Sequence, residues 1–241
     1  TEQALAKVGE TYSPVAATAI VMNPETSEIL AMANWPPIDP GDLGAVESNE
    51  ELLNQATGFN YEPGSTFKAF TVSAALEEGL VTPTTEFTLP PTLEVGERII
   101  HDAEERGTET MSVEQILARS SNIGAVTIGL KIGATKFSKW IDRFGFGRKT
   151  GVQFPGEEIG IVPPLDEYSG STMGNLPMGQ GLAVTPMQMV AGYTAIADNG
   201  ILKPPQLIKR IGEREIHEPQ GHRVISANVA SEVREMLEGV L

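Results

Sequence analysis

The octapeptide Tyr61-Glu62-Pro63-Gly64-Ser65-Thr66-Phe67-Lys68 is the stretch on which the prediction of the fold depends. Its Pro-Gly pair ends any preceding element, and an apolar, alanine-rich run with helical spacing follows. Ser65 is therefore expected to cap a helix, with Lys68 on the same face about one turn later. A neutral lysine can activate a serine hydroxyl, and free N–H groups at a helix start can stabilise an oxyanion. The pattern predicts a serine nucleophile with a lysine base.

The composition is that of a globular protein with an acidic surface. Of 241 residues, 40% are hydrophobic and 20% are charged, which is enough material for one large domain or two small ones. The 17 basic and 32 acidic residues give a net charge of -15, which argues against nucleic acid or an anionic membrane surface as the main partner. The chain has no cysteine, and its three histidines lack metal-ligand spacing, so no metal site is predicted.

The pattern of helices and strands predicts an α+β fold, because helices cluster in the middle of the chain and strands lie near its two ends. Residues 16–33 have the pattern of a β-hairpin, and residues 82–110 that of loops with short strands. Helices are expected over 1–10, 49–57, 65–79, 112–119, 123–132, 134–144, 185–197 and 226–237. Loops are expected over 34–48, 162–164, 170–181 and 212–222, and a strand over 201–211.

A second motif, Ser120-Ser121-Asn122, follows the predicted helix that ends near Arg119. Its first hydroxyl can pass a proton between a nucleophile and a leaving group, and its amide can hold a peptide group through one donor and one acceptor. Serine and asparagine also cap helices, so on its own this motif is more consistent with a simple helix connection.

Together these stretches resemble the transpeptidase domain of a class B penicillin-binding protein over nearly the whole chain. Four longer segments are far more specific for this family than either short motif. They are Asn54 to Lys68, Gln115 to Gly129, Gly145 to Glu157, and Gly179-Gln180-Gly181 through Met189. The resemblance implies the fold shared by penicillin-binding proteins and serine β-lactamases, with helices packed on an antiparallel sheet and an all-helical subregion.

The resemblance also implies a function, a peptidoglycan D,D-transpeptidase that is acylated by stem peptides and by β-lactam antibiotics. Ser65 would be the nucleophile, Lys68 its base, Ser120 a proton relay and Asn122 a substrate-binding residue. No cofactor is implied. The full-length protein would act at the extracytoplasmic face of the bacterial cell membrane, through an anchor absent from this chain, beside other cell-wall synthesis proteins.

The third motif of the family, Lys-Thr-Gly, is where the sequence departs from the resemblance. Lys149-Thr150-Gly151 is present, but it precedes the Gly179-Gln180-Gly181 segment, whereas the family's functional motif follows it. Residues 1–241 are therefore expected to form a transpeptidase domain that lacks its C-terminal strands and to be weakly active or inactive alone. Glu50-Glu51-Leu52-Leu53-Asn54 resembles a β-lactamase motif in the wrong order, and an exposed acidic turn is expected there instead.

Two other functions share these motifs. A serine β-lactamase or penicillin-sensing receptor has the same fold and first motif, but would not explain the Gly179-Gln180-Gly181 segment. A non-catalytic scaffolding domain of the cell-wall machinery is the alternative from a different class.

Overall fold

The computed structural model describes residues 1–39, 41 and 52–240. Its α-helices are α1 (Glu2–Tyr12), α2 (Gln55–Gly58), α3 (Lys68–Glu77), α4 (Val113–Ala118), α5 (Asn122–Ile132), α6 (Ala134–Arg143), α7 (Pro186–Ala197) and α8 (Ala227–Glu238). None of these helices combines the length and the apolar content that a membrane-crossing segment needs. Most of the loop expected over 34–48, the start of the helix expected over 49–57, and Glu50 and Glu51 of the expected acidic turn lie outside the described residues.

The described strands form antiparallel pairs, which confirms the α+β class. They are β1 (Ala17–Met22), β2 (Ile29–Trp35), β3 (Glu86–Leu89), β4 (Leu93–Val95), β5 (Arg98–Ile100), β6 (Glu109–Ser112), β7 (Ile201–Leu202), β8 (Arg210–Ile211), β9 (Arg214–Glu215) and β10 (His222–Arg223). The longest pair is the predicted hairpin of β1 and β2, in which Ala19 lies opposite Ala33. Asn23 closes its turn, because the side-chain oxygen accepts hydrogen bonds from the N–H groups of Glu25 and Thr26.

Helix α3 lies at the centre of the core. Every residue from Lys68 to Leu76 is buried, so the helix is enclosed on all sides and not only along the predicted stripe. Small alanines allow α5, α6 and α8 to pack closely around it, and a helix that is apolar all round is stable only when buried. Gly79 ends it as predicted, with a left-handed φ of 64° that a residue with a side chain rarely adopts.

Local sequence signals located most helix starts correctly, and prolines account for the largest error. Ser112 caps α4 in a reciprocal capping box with Gln115, as predicted. The strand expected over 201–211 is wrong, because it is interrupted between β7 and β8, where Pro204 and Pro205 cannot donate to a ladder. The predicted loop over 170–181 contains short 3-10 turns at Thr172–Gly174 and Leu176–Met178.

Candidate active site

Ser65 lies in a 3-10 turn, Gly64–Phe67, that leads directly into α3. The prediction that Ser65 caps the helix is wrong, since the chain enters through this turn and Pro63 occupies the cap position without a side-chain bond. Gly64 has a left-handed φ of 56° and donates its N–H to the carbonyl oxygen of Gly179 at 2.9 Å. Ser65 is exposed to solvent, and its hydroxyl remains available for chemistry.

The side chain of Lys68 brings the two predicted motifs together. Its Nζ lies 3.1 Å from Ser65 Oγ, 3.0 Å from Ser120 Oγ, 2.6 Å from the carbonyl oxygen of Ser120 and 2.7 Å from Asn122 Oδ1. The residue is 1% exposed, whereas Ser65 faces solvent. The other three residues predicted for the site therefore converge on the Lys68 nitrogen.

The chemistry of these four contacts suits a neutral amine. The two shortest run to a carbonyl oxygen and an amide oxygen, which only accept hydrogen bonds. A neutral lysine has two N–H groups for these two acceptors and one lone pair left over. Ser65 or Ser120 can donate its hydroxyl hydrogen to that lone pair, because a hydroxyl is both donor and acceptor. An ammonium, with three hydrogens and no lone pair, could receive no proton from either serine.

The environment of Lys68 increases the fraction of this neutral form. Burial lowers the pKa of Lys68 from its ordinary value of 10.5 to about 8, since a charged group loses hydration in the interior. The negative charge of Asp102 opposes this shift and raises the pKa. The amine is consequently neutral in part of the population near neutral pH, which a general base requires.

The turn before α5 presents Ser120 and Asn122 to Lys68. Ser120 has a left-handed φ of 54°, an uncommon conformation for a residue with a side chain. Ser121 caps α5 by accepting a hydrogen bond from the N–H of Gly124. Asn122 donates from Nδ2 to the carbonyl oxygen of His101 at 2.9 Å, so one N–H of its amide remains unused in the described part of the chain.

Asp102 organises this turn and was not predicted from the sequence. Its carboxylate accepts hydrogen bonds from the Ser121 hydroxyl at 3.0 Å and the Ile123 N–H at 3.0 Å, and it pairs with Arg106 at 2.6 Å. Burial alone would raise the pKa of Asp102, but these donors outweigh burial and hold the pKa below its ordinary value. Because Ser121 and Ile123 lie 19 and 21 residues further along the chain, local patterns around Asp102 could not reveal these two partners.

Lys149, in the Lys-Thr-Gly that precedes Gly179, is not part of the candidate active site. It follows α6 outside any strand and lines a cavity with Phe144 and Leu202. Within residues 1–39, 41 and 52–240, it forms no hydrogen bond or ion pair with Ser65, Lys68, Ser120 or Asn122. In the same described ranges, no group of three or more histidine or carboxylate residues has the arrangement of a metal site.

Known proteins resemble the chain throughout. A family described as penicillin binding protein transpeptidase domain matches residues 17–241. Penicillin-binding protein PbpB of Mycobacterium tuberculosis is 39% identical over 230 residues, which cover 93% of this chain and 34% of that protein. The probable peptidoglycan D,D-transpeptidase FtsI of Caulobacter vibrioides is 28% identical over 98% of this chain and 39% of that protein.

Solved structures show the same similarity. The crystal structure of penicillin binding protein 3 from Mycobacterium tuberculosis complexed with aztreonam superposes with a TM-score of 0.93, at 36% sequence identity. The match covers 99% of this chain and 55% of that one. The chain thus spans between a third and two fifths of these two curated relatives, at 34% and 39% of their lengths. The α+β arrangement, the matched family and these neighbours agree, and the chain belongs to the penicillin-binding protein transpeptidase domain family.

Proposed function

We propose that this chain carries the acyl-transfer site of a peptidoglycan D,D-transpeptidase, with Ser65 as the nucleophile and Lys68 as its base. One observation carries the proposal. The buried Lys68, whose pKa is about 8, lies 3.1 Å from the hydroxyl of the exposed Ser65. A serine hydroxyl is a weak nucleophile until an adjacent base removes its proton, and this pair supplies that base.

In the proposed first step, Lys68 removes the Ser65 proton as Ser65 Oγ bonds to the carbonyl carbon of the penultimate D-alanine of a stem peptide. The bond from that carbon to the nitrogen of the terminal D-alanine breaks. Ser120, 3.0 Å from Lys68 Nζ, relays the proton to the departing amine, which leaves as D-alanine. The amine of a second stem peptide then attacks the ester carbonyl carbon and forms the amide crosslink. The bond from that carbon to Ser65 Oγ breaks, and Lys68 passes the proton of the amine to Ser65.

Asn122 is proposed to hold the donor peptide. Its unused side-chain N–H and the second lone pair of its oxygen offer one donor and one acceptor to a peptide group. A β-lactam would acylate Ser65 in the same way and persist as an ester. The relative whose structure was solved with aztreonam supports β-lactam binding, and the relative named as a probable D,D-transpeptidase supports the stem-peptide substrate. No metal or organic cofactor takes part in the proposed steps.

We further propose that residues 1–241 form a transpeptidase domain whose C-terminal strands come from a segment outside them. The placement of Lys149 away from Ser65 supports this, because the family's third motif would face the nucleophile. In the full-length protein, the domain would lie at the extracytoplasmic face of the membrane with other cell-wall synthesis proteins. Comparing penicillin acylation of residues 1–241 with that of a chain extended past Leu241 tests the proposal, and equal rates would refute it.

Acylation by a fluorescent penicillin tests the proposed site. The labelled adduct is expected in the extended wild-type chain and in Ser231→Ala, which removes a hydroxyl on α8, but not in Ser65→Ala. The adduct should outlast many minutes, whereas rapid hydrolysis of a chromogenic β-lactam would indicate a β-lactamase instead. Labelling of Ser65→Ala at the wild-type rate would refute the assignment of the nucleophile.

A further inference from the structure

The Lys149-Thr150-Gly151 stretch, which the proposed mechanism does not use, borders a second cavity. This cavity has a volume of about 200 Å³ and lies between the segment after α6, the first half of α7 and the segment around β7. Ser65, Lys68, Ser120 and Asn122 are not among the residues that line it. The cavity is therefore separate from the candidate active site.

The cavity combines an apolar base with a cationic rim. Phe144, Ala191 and Leu202, which are 2%, 5% and 9% exposed, form the base. Arg148, Lys149 and Lys203 supply the cations of the rim, and the side chain of His222 lies beside them. Such a combination suits a ligand with an apolar body and one negatively charged group.

The rim carries three cations, Arg148, Lys149 and Lys203, although the whole chain carries -15. Lys203 pairs with Asp198 at 2.9 Å, and Arg148 lies 3.7 Å from Asp142 and donates to its carbonyl oxygen. Lys149 forms no ion pair or hydrogen bond within the described ranges, so its charge is not neutralised there. An anion entering the cavity would therefore meet at least one cation that gives up no partner to bind it.

Internal hydrogen bonds hold the wall beside Lys149 in place. The buried Glu157 carboxylate accepts the N–H of Thr150 at 2.6 Å and also the Thr150 hydroxyl. Gln188 donates to the carbonyl oxygens of Arg148 at 2.8 Å and Ile159 at 2.9 Å. The backbone on both sides of Lys149 is fixed by these bonds, which lowers the ordering cost of binding.

We propose that this cavity binds a small amphipathic anion, whose apolar part packs on Phe144 and Leu202 and whose carboxylate or phosphate pairs with Lys149. The size is appropriate, because an apolar cavity of about 150 Å³ holds a benzene molecule. A cavity of about 200 Å³ accommodates one aromatic ring, with its anionic group at the rim. This inference is independent of the proposed acyl-transfer function.

A titration followed by NMR tests the inference on the isotopically labelled chain extended past Leu241. Benzoate and phenyl phosphate are the probes, benzamide is the uncharged isostere, and inorganic phosphate tests whether an anion alone suffices. We expect both aromatic anions to shift the amide signals of 144–150, 202–203 and 222 saturably. Lys149→Gln should weaken binding about tenfold, since hydrogen bonds to charged groups are among the stronger ones. Lys139→Gln, an exposed change on α6, should leave affinity unchanged.

Several results would overturn the inference. They are the absence of saturable shifts with either aromatic anion, equal affinity for benzamide, and undiminished binding to Lys149→Gln. Stronger binding of inorganic phosphate than of phenyl phosphate would refute the apolar contribution. Shifts centred on 65–68 and 120–122 would place the anion at the acyl-transfer site instead. Repeating the titration on Ser65→Ala should give the same affinity, which separates this cavity from the nucleophile.

Discussion

The carboxylate of Asp102 accepts a hydrogen bond from the hydroxyl of Ser121 at 3.0 Å. Through this bond and the one from the Ile123 N–H, Asp102 fixes the turn that presents Ser120 and Asn122 to Lys68. Its charge also acts on Lys68 directly, by raising the pKa that burial lowers. One carboxylate thus influences both the geometry and the protonation of the candidate site.

Replacing Asp102 by Asn should therefore have two separable effects. The loss of a buried charge that accepts several hydrogen bonds should lower the free energy of unfolding by about 1–3 kcal/mol and reduce the acylation rate. Removing the negative charge should lower the pKa of Lys68 further, so the acidic limb of the pH–rate profile should move to lower pH. Denaturant unfolding measures the loss of stability, and acylation kinetics between pH 5 and 10 measure the rate and the position of the acidic limb. Asp166→Asn, an exposed change, is the control, and an unshifted acidic limb would show that the charge of Asp102 does not reach Lys68.

The pH dependence of wild-type acylation should report Lys68 itself. The base must be neutral, so the rate should rise with pH and reach half its maximum near the pKa of about 8. Benzylpenicillin acylation measured across this range tests the prediction, with Ser65→Ala used to subtract spontaneous hydrolysis. A rate that is constant from pH 6 to pH 9 would mean that Lys68 is not the titrating base.

Removing the amine of Lys68 should slow acylation far more than removing the amine of an exposed lysine. Lys68→Met keeps much of the buried volume but eliminates the base, and acylation should fall by about 10²–10⁴-fold. Lys139→Met is the matched change on an exposed helix face and should react at the wild-type rate. Stopped-flow fluorescence with a labelled penicillin measures both. A loss of less than threefold in a folded Lys68→Met would contradict its role.

Gly179 should be essential for placing Ser65, although it is distant in sequence. A Cβ atom there would lie 2.1 Å from the carbonyl oxygen of Gly64 and 2.7 Å from Cβ of Phe67. The left-handed φ of 79° adds strain, so Gly179→Ala should lower stability by about 1–3 kcal/mol and slow acylation by displacing the Ser65 turn. Thermal unfolding and acylation rates measure the two losses. Gly107→Ala, where a Cβ would meet no atom within 4 Å, should change neither, and equal behaviour of the two variants would refute the argument.

Features set by neighbouring residues could be predicted from the sequence, and features set by distant contacts could not. The capping serine of α4 and the Thr185-Pro186 start of α7 are local signals, and both were confirmed. The strand expected over 201–211 is wrong because Pro204 and Pro205 have no N–H to donate to a strand pair and interrupt it between β7 and β8.

In the candidate site, too, neighbouring residues set some features and distant contacts set others. Ser65 and Lys68 follow from spacing along one segment, and their contact at 3.1 Å agrees with it. The 3-10 geometry at Ser65 depends on the approach of Gly64 to Gly179, and the Asp102 network depends on a turn that folds back from β5 toward α5. Neither long-range contact leaves a periodic pattern in the sequence.

The central claim, that Ser65 is the residue acylated, is tested most directly by locating the adduct of a β-lactam. The extended chain is treated with benzylpenicillin, digested, and analysed by tandem mass spectrometry. We expect a single adduct on the peptide that contains Ser65, and none on that peptide in Lys68→Met at the same time point. An adduct on Ser120 or on any other serine, with Ser65 unmodified, would contradict it.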